Sequence, residues 1–189
     1  TALAGDTALF DSTTTNVAIG NSAGLTGQNG FAIAIGTSAG LTNQNTKSIA
    51  IGDSAGATTQ GEYAVAVGNN AGNTTQGNYT VAIGYQAGET GQGAGGIGIG
   101  PGAGKTTQGV ETIAIGANSG MTSQGENALA IGSYVGVTSQ GVSAVAVGNR
   151  AGGTSQGEKS IAIGYFAGQI SQGTDSIAIG KNSGIGGTT

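Results

Sequence analysis

The chain has 189 residues, 41 of them glycine, with only 7% charged and 4% aromatic side chains. One Met, three Phe and no Trp cannot fill the centre of an ordinary globule of this length, yet a net charge of -4 and the many Ile, Val and Ala residues exclude a disordered chain. The absence of Cys and His removes disulfides, thiolate metal sites and the commonest general base, and five Lys/Arg against nine Asp/Glu leave no basic patch for nucleic acid.

In chain order, residues 1–16 come first. Gly5 lies fifteen residues before Gly20, so this stretch is expected to form an irregular capping coil. The chain starts at Thr1 rather than Met, and it reads as a piece of a longer protein or a processed product. No apolar run reaches the length of a membrane span, so direct insertion is not expected.

Residues 17–184 are a tandem repeat. Glycines recur every sixteen residues from Gly20 to Gly180, a second column runs from Gly24 to Gly184, and glutamines run from Gln28 to Gln172, all without an insertion. Before each first glycine the pattern alternates with period two, as in Val17-Ala18-Ile19 and Ile161-Ala162-Ile163, which predicts a short strand. A second short strand, such as Thr58-Thr59-Gln60, precedes another glycine-rich corner. The predicted fold is all-β: a parallel β-solenoid, or β-roll, of eleven sixteen-residue coils with two short strands each. At about 4.8 Å per coil, the rod is roughly 50 Å long. Residues 185–189 are a tail or truncated coil.

The columns also predict which faces are buried. The large β-branched residues are expected to fill the coil, with Val145 and Val147 in one buried row and Ala146 on the opposite face. That leaves the alanine column as a smooth surface, fit for close approach of another backbone. Ala50, Ala66, Ala82, Ala114, Ala130, Ala146 and Ala162 are therefore expected to face neighbouring chains, most simply in a homotrimer. The alternative is a monomer whose alanine face abuts the other strand of its own coil. Gln60, Gln76, Gln108, Gln124, Gln140 and Gln156 are expected to form a structural ladder, partly buried and bonded coil to coil or to the backbone. The threonine column, Thr26 to Thr154, is read first as an inward structural ladder and second as an outward, water-ordering, ice-binding face.

Few motifs carry chemistry. Gly98 to Thr106 imitates a phosphate loop, but Ile99 stands where the pattern needs glycine and no helix follows. Asp53, Glu62, Glu89, Glu126 and Asp175 are too scattered for a calcium repeat. Glu62, Glu126 and Glu158 share one column but read as solvated corner charges. No catalytic residue, metal ligand or cofactor is assigned. The contact candidates are aromatics at variable corners: Phe31, Tyr63 and Tyr79 in one column, Tyr85 and Tyr165 in another, then Tyr134 and Phe166. The competing reading is that they only cover the coil edge.

The run [Ile/Val]-Ala-[Ile/Val]-Gly-x-x-Ala-Gly, from Val17 to Gly184, resembles the head repeats of trimeric autotransporter adhesins, the YadA-like head. That resemblance implies a trimeric left-handed parallel β-roll, extracellular and host-binding. The uniform sixteen-residue length and the added Thr-x-Gln-Gly corner depart from it. The opening Thr1-Ala2-Leu3 and Ala8-Leu9 stretch is similar to repeats of viral and bacterial surface fibres, so a bacterial surface and a virion surface are both expected locations. The function expected is a structural or adhesive rod that mediates attachment to a host protein or glycan, not an enzyme. A passive stalk and a monomeric ice-binding solenoid are the alternatives.

Overall fold

The computed structural model describes residues 8–11, of backbone only, and residues 15–185. All regular structure among them is β. One sheet has twelve strands. Its first, Ala8–Asp11, pairs antiparallel with Asn16–Ile19, and the other pairings are parallel and in strict register, for example Ile97↔Ile113, Gly98↔Ala114 and Ile99↔Ile115. The second sheet has eight parallel strands, Thr42–Gln44 through Thr154–Gln156, extended at its ends by the bridges Thr26↔Thr42 and Thr154↔Ile170. Each turn of chain contributes one strand to each sheet, giving a parallel β-solenoid of about ten turns.

The corners are bonded coil to coil as tightly as the strands. Most amides donate to the coil ahead, as Gly56 N to Ala71 O at 2.9 Å. The first glycine column donates backwards, as Gly52 N to Ile35 O, and three further corner and strand columns do the same, as Ser54 N to Thr37 O, Asn43 N to Thr26 O and Tyr63 N to Thr46 O. Non-glycine residues in the last three columns have φ near +55°, which reverses the direction of the N–H. This is how a sixteen-residue loop turns its corners without leaving buried amides unpaired.

Two glycines illustrate the packing. At Gly52 (φ 128°) a Cβ would lie 2.6 Å from the Gly68 carbonyl oxygen of the next coil, so only glycine permits the approach. At Gly56 (φ 51°) a Cβ would collide with the amide of Gln60 inside the coil.

The expected inside and outside are exchanged. Ala50, Ala66, Ala82, Ala114, Ala130, Ala146 and Ala162 have no exposed surface and form the core, with the corner alanines Ala55, Ala71, Ala151 and Ala167. They cannot face a neighbouring chain. They meet the other strand of their own coil, the alternative arrangement for the alanine column. Val145 and Val147 point outward and are only half-buried. The reason is thickness: the glutamine amide of the second strand must reach the first strand's carbonyls, and only a methyl fits opposite it. The threonine column is corrected likewise. Gln60 takes the inner place of its strand while Thr58 and Thr59 are exposed, because a threonine hydroxyl is too short to cross the coil.

The first edge also differs from expectation. Ala8–Asp11 turns back antiparallel instead of adding a parallel capping coil; Gly5 lies outside the described residues. Asn16, buried, accepts from Ala32 N at 3.0 Å and donates to Gln28 O at 3.1 Å, tying off the first coil. Of the tail 185–189, only Ile185 is described.

Candidate functional site

Inside, the glutamines tie the two sheets. Gln60 Nε2 donates to Ile49 O at 2.8 Å and Ala64 O at 3.3 Å, and Gln124, Gln140 and Gln156 repeat the pair. Gln76 donates to Val65 O and also to Gln92 Oε1 in the next coil, and Gln108 donates to Gln124 Oε1 at 3.0 Å. Gln44, Gln60, Gln76, Gln108, Gln124, Gln140 and Gln156 are all buried. A second buried column of Ser and Thr bonds backwards, as Ser48 Oγ to Asn45 O at 2.6 Å and Thr80 Oγ1 to Gly77 O at 2.9 Å. The inner amide N–H and hydroxyl groups named here are thus committed to the fold, while Oε1 of Gln60, Gln76, Gln108, Gln140, Gln156 and Gln172 lies buried without a hydrogen-bond partner; with that interior closed to solvent, anything the rod binds must meet its outside.

The outside has three surfaces. The first sheet presents two columns of Ile, Val and Leu from Val17 to Ile179, half-buried to exposed, with nothing packed over them in the single chain. The second sheet presents hydroxyls, Thr42 to Thr154 beside Thr59, Thr75, Thr107 and Ser123. The corners between carry the variable residues.

The structure brings the aromatics into two corner clusters. In one column, Lys47, Tyr63 and Tyr79 occupy successive coils. The Tyr63 and Tyr79 rings stack at 5.2 Å and 8°, and Lys47 Nζ lies 5.0 Å from the Tyr63 centroid and 3.2 Å from its Oη. Phe31 is exposed in the same column, and Tyr85 is exposed at another corner. In the second cluster Tyr134, Arg150 and Phe166 lie in successive coils. The Arg150 guanidinium sits 5.9 Å from the Tyr134 centroid and 5.3 Å from that of Phe166, which meets Tyr165 edge-on at 4.3 Å. Arg150 was missed by reading aromatics alone; its sixteen-residue spacing from both rings was the available signal.

Electrostatics are sparse. Lys105 pairs with Glu89 at 3.4 Å, and Lys159 pairs with Glu158 at 2.8 Å. The hydrogen bond with Glu158, then its charge, holds the exposed Lys159 ammonium above its usual pKa. Among the described residues Arg150 has no carboxylate partner, and no three acidic side chains gather in a metal-binding group. Tyr63, Tyr79, Tyr134, Arg150 and Phe166 all have φ between 55° and 59°. Bulky side chains are uncommon in that region, where glycine or asparagine fits at lower cost.

A family model described as the YadA head domain repeat matches residues 44–71, 139–167 and 171–183. The coils between the first two stretches keep the same columns and register. No curated protein and no solved structure matches the chain.

Proposed function

We propose that this chain, whose stacked coils match the YadA head domain repeat in part, is the attachment rod of a bacterial surface adhesin, working as a homotrimer joined through its Ile/Val faces. The observation that carries the reading is the uncovered outer face of the first sheet. Two apolar columns about 7 Å apart run the length of a rod about 50 Å long. Monomeric soluble proteins rarely expose one contiguous apolar patch of more than a few hundred Å². A parallel threefold arrangement covers all three such faces at once and leaves the hydroxyl faces and corners in water.

In this reading the contacts with a host protein or glycan come from the corners, where Phe31, Tyr63, Tyr79, Tyr85, Tyr134, Tyr165 and Phe166 offer apolar area with polar tips. The rod acts by presenting a surface. We assign it no catalysis and no cofactor, and we place it outside the cell. The family match favours a bacterial surface over a virion. Light scattering on the purified chain is the test: a particle of three 17.8-kDa chains is expected, and a folded monomer at micromolar concentration overturns the trimer. Cells displaying the rod should adhere to host-surface protein or glycan, and equal adhesion without it overturns attachment.

One observation favours a second reading. The threonine ladder faces outward in register, as Thr58↔Thr74 and Thr106↔Thr122, so it offers a row of hydroxyls that could order water. Inhibition of ice recrystallisation by a monomeric chain would put an ice-binding role first.

A further inference from the structure

We infer that the notch beside Arg150 is a binding site for one carboxylate-bearing sugar unit. The inference rests on the attachment reading for its biological use, whereas the binding is measured on the chain directly. Three departures from the repeat converge there. In its column Gly153 follows Met121 and Val137 and precedes Gln169, so it leaves a gap one coil high. No left-handed backbone conformation requires that glycine. Its φ is not positive, and the nearest atoms a Cβ would meet are the Gln169 carbonyl oxygen and Cγ at 3.3 Å and 3.4 Å and the Arg150 carbonyl oxygen at 3.5 Å, a shift of a few tenths of an ångström from ordinary contact. Second, Ile170 stands where Thr42 to Thr154 hold a hydroxyl, and it is exposed. Third, Arg150 interrupts a pair of aromatics and stacks between them.

The result is a groove of about 290 Å³ lined by Tyr134, Val137, Arg150, Gly153, Thr154, Gln169 and Ile170. The guanidinium carbon lies 5.9 Å and 5.3 Å from the two ring centroids, and no carboxylate of the described residues pairs with it, so its N–H groups are available to a ligand. That planar fork matches a carboxylate through two parallel hydrogen bonds, and the stacking lowers the cost of ordering it. Val137 and Ile170 supply an apolar wall suited to the C–H face of a sugar ring. Thr154 and Gln169 supply groups for its hydroxyls. The volume suits one pyranose, at the small end of ligand sites. The chain is net acidic, with charge -4, so the site accepts a single carboxylate on an isolated cation rather than an acidic tract.

The test is titration of the full chain with D-glucuronate, with D-glucose as the uncharged control and N-acetylglutamate amide standing in for a peptide. Glucuronate should bind, glucose should bind at least about tenfold more weakly, and added salt should weaken glucuronate. Arg150→Gln should lose at least about tenfold in affinity without loss of fold, because Gln86 holds the equivalent position with the same backbone conformation. Gly153→Val should fill the gap as Val137 fills the coil before it, and should abolish binding. No glucuronate binding, unchanged affinity in either folded variant, or a preference for glucose or the peptide mimic each overturns the inference. Adhesion to host surfaces without glucuronate binding would sink this site alone; glucuronate binding without adhesion would sink the attachment reading alone.

Discussion

Alanine and glutamine do here what leucine and phenylalanine do in a globule. The methyl of Ala114 and the amide of Gln124 fill the same thin space from opposite sheets, and both are buried. Ala114→Leu should overpack the coil and lower stability by about 1–3 kcal/mol, read as a fall in melting temperature; an unchanged melt would mean that the interior is loose. Gln124→Leu keeps the volume but removes donors from Ile113 O and Ala128 O, at about 1–3 kcal/mol. Gln124→Glu should be worse at neutral pH. Burial raises the introduced carboxyl's pKa in the folded state above its unfolded value, so the penalty grows as pH rises through the unfolded value and shrinks on acidification. Melting curves at pH 4 and 7 check this, and the variant should be closer to wild type at pH 4.

At the scale of the element, the unit is the coil and not the strand. A three-residue strand has no independent stability. Its ladder hydrogen bonds and its glycine corner refer to residues about sixteen positions away, and its glutamine tie joins it to the other strand of the same coil, as Gln60 to Ile49 O. Removing one whole coil, residues 117–132, joins columns that already match and should leave a folded, shorter rod. Removing Ser139 alone shifts each later column by one place and exchanges the faces of the strands around it. Circular dichroism should show the wild-type β signal for the first deletion and a marked loss for the second. Equal spectra would refute strict registration.

At the scale of the molecule, the rod is amphipathic in cross-section: apolar on one sheet, hydroxylic on the other. Ile115→Asp places a charge on the outer face of the first sheet, where Ile115 is half-buried and on the opposite side of its strand from the buried Ala114. It should leave the coil folded and dissociate the proposed trimer, because a charge in an apolar interface lacks a partner. Sedimentation should report single chains with an unaltered β spectrum. The same outcome is expected of Val147→Asp, whereas a Val147 buried inside the coil would make that change strongly destabilising to the rod. A trimer that persists in both variants would move the interface elsewhere.

Period, register and element type were legible in the chain itself, because a repeat without insertions can only stack and period-two alternation can only be strand. The glutamine column also announced a structural duty, since ten identical polar residues in one chain imply one recurring environment. Alternation, however, states that a strand has two faces and not which one is inside. The rule that large apolar residues go in pointed Val145 and Val147 inward. The cross-section of the coil decided otherwise: the glutamine side chains span it, leaving room for Ala146 and no more. The same thickness sent Thr58 out and closed the alanines to any neighbour. Nor could separate columns reveal the Arg150 notch, because Gly153 and Ile170 become neighbours of Tyr134 only when the sixteen-residue turns are laid on one another.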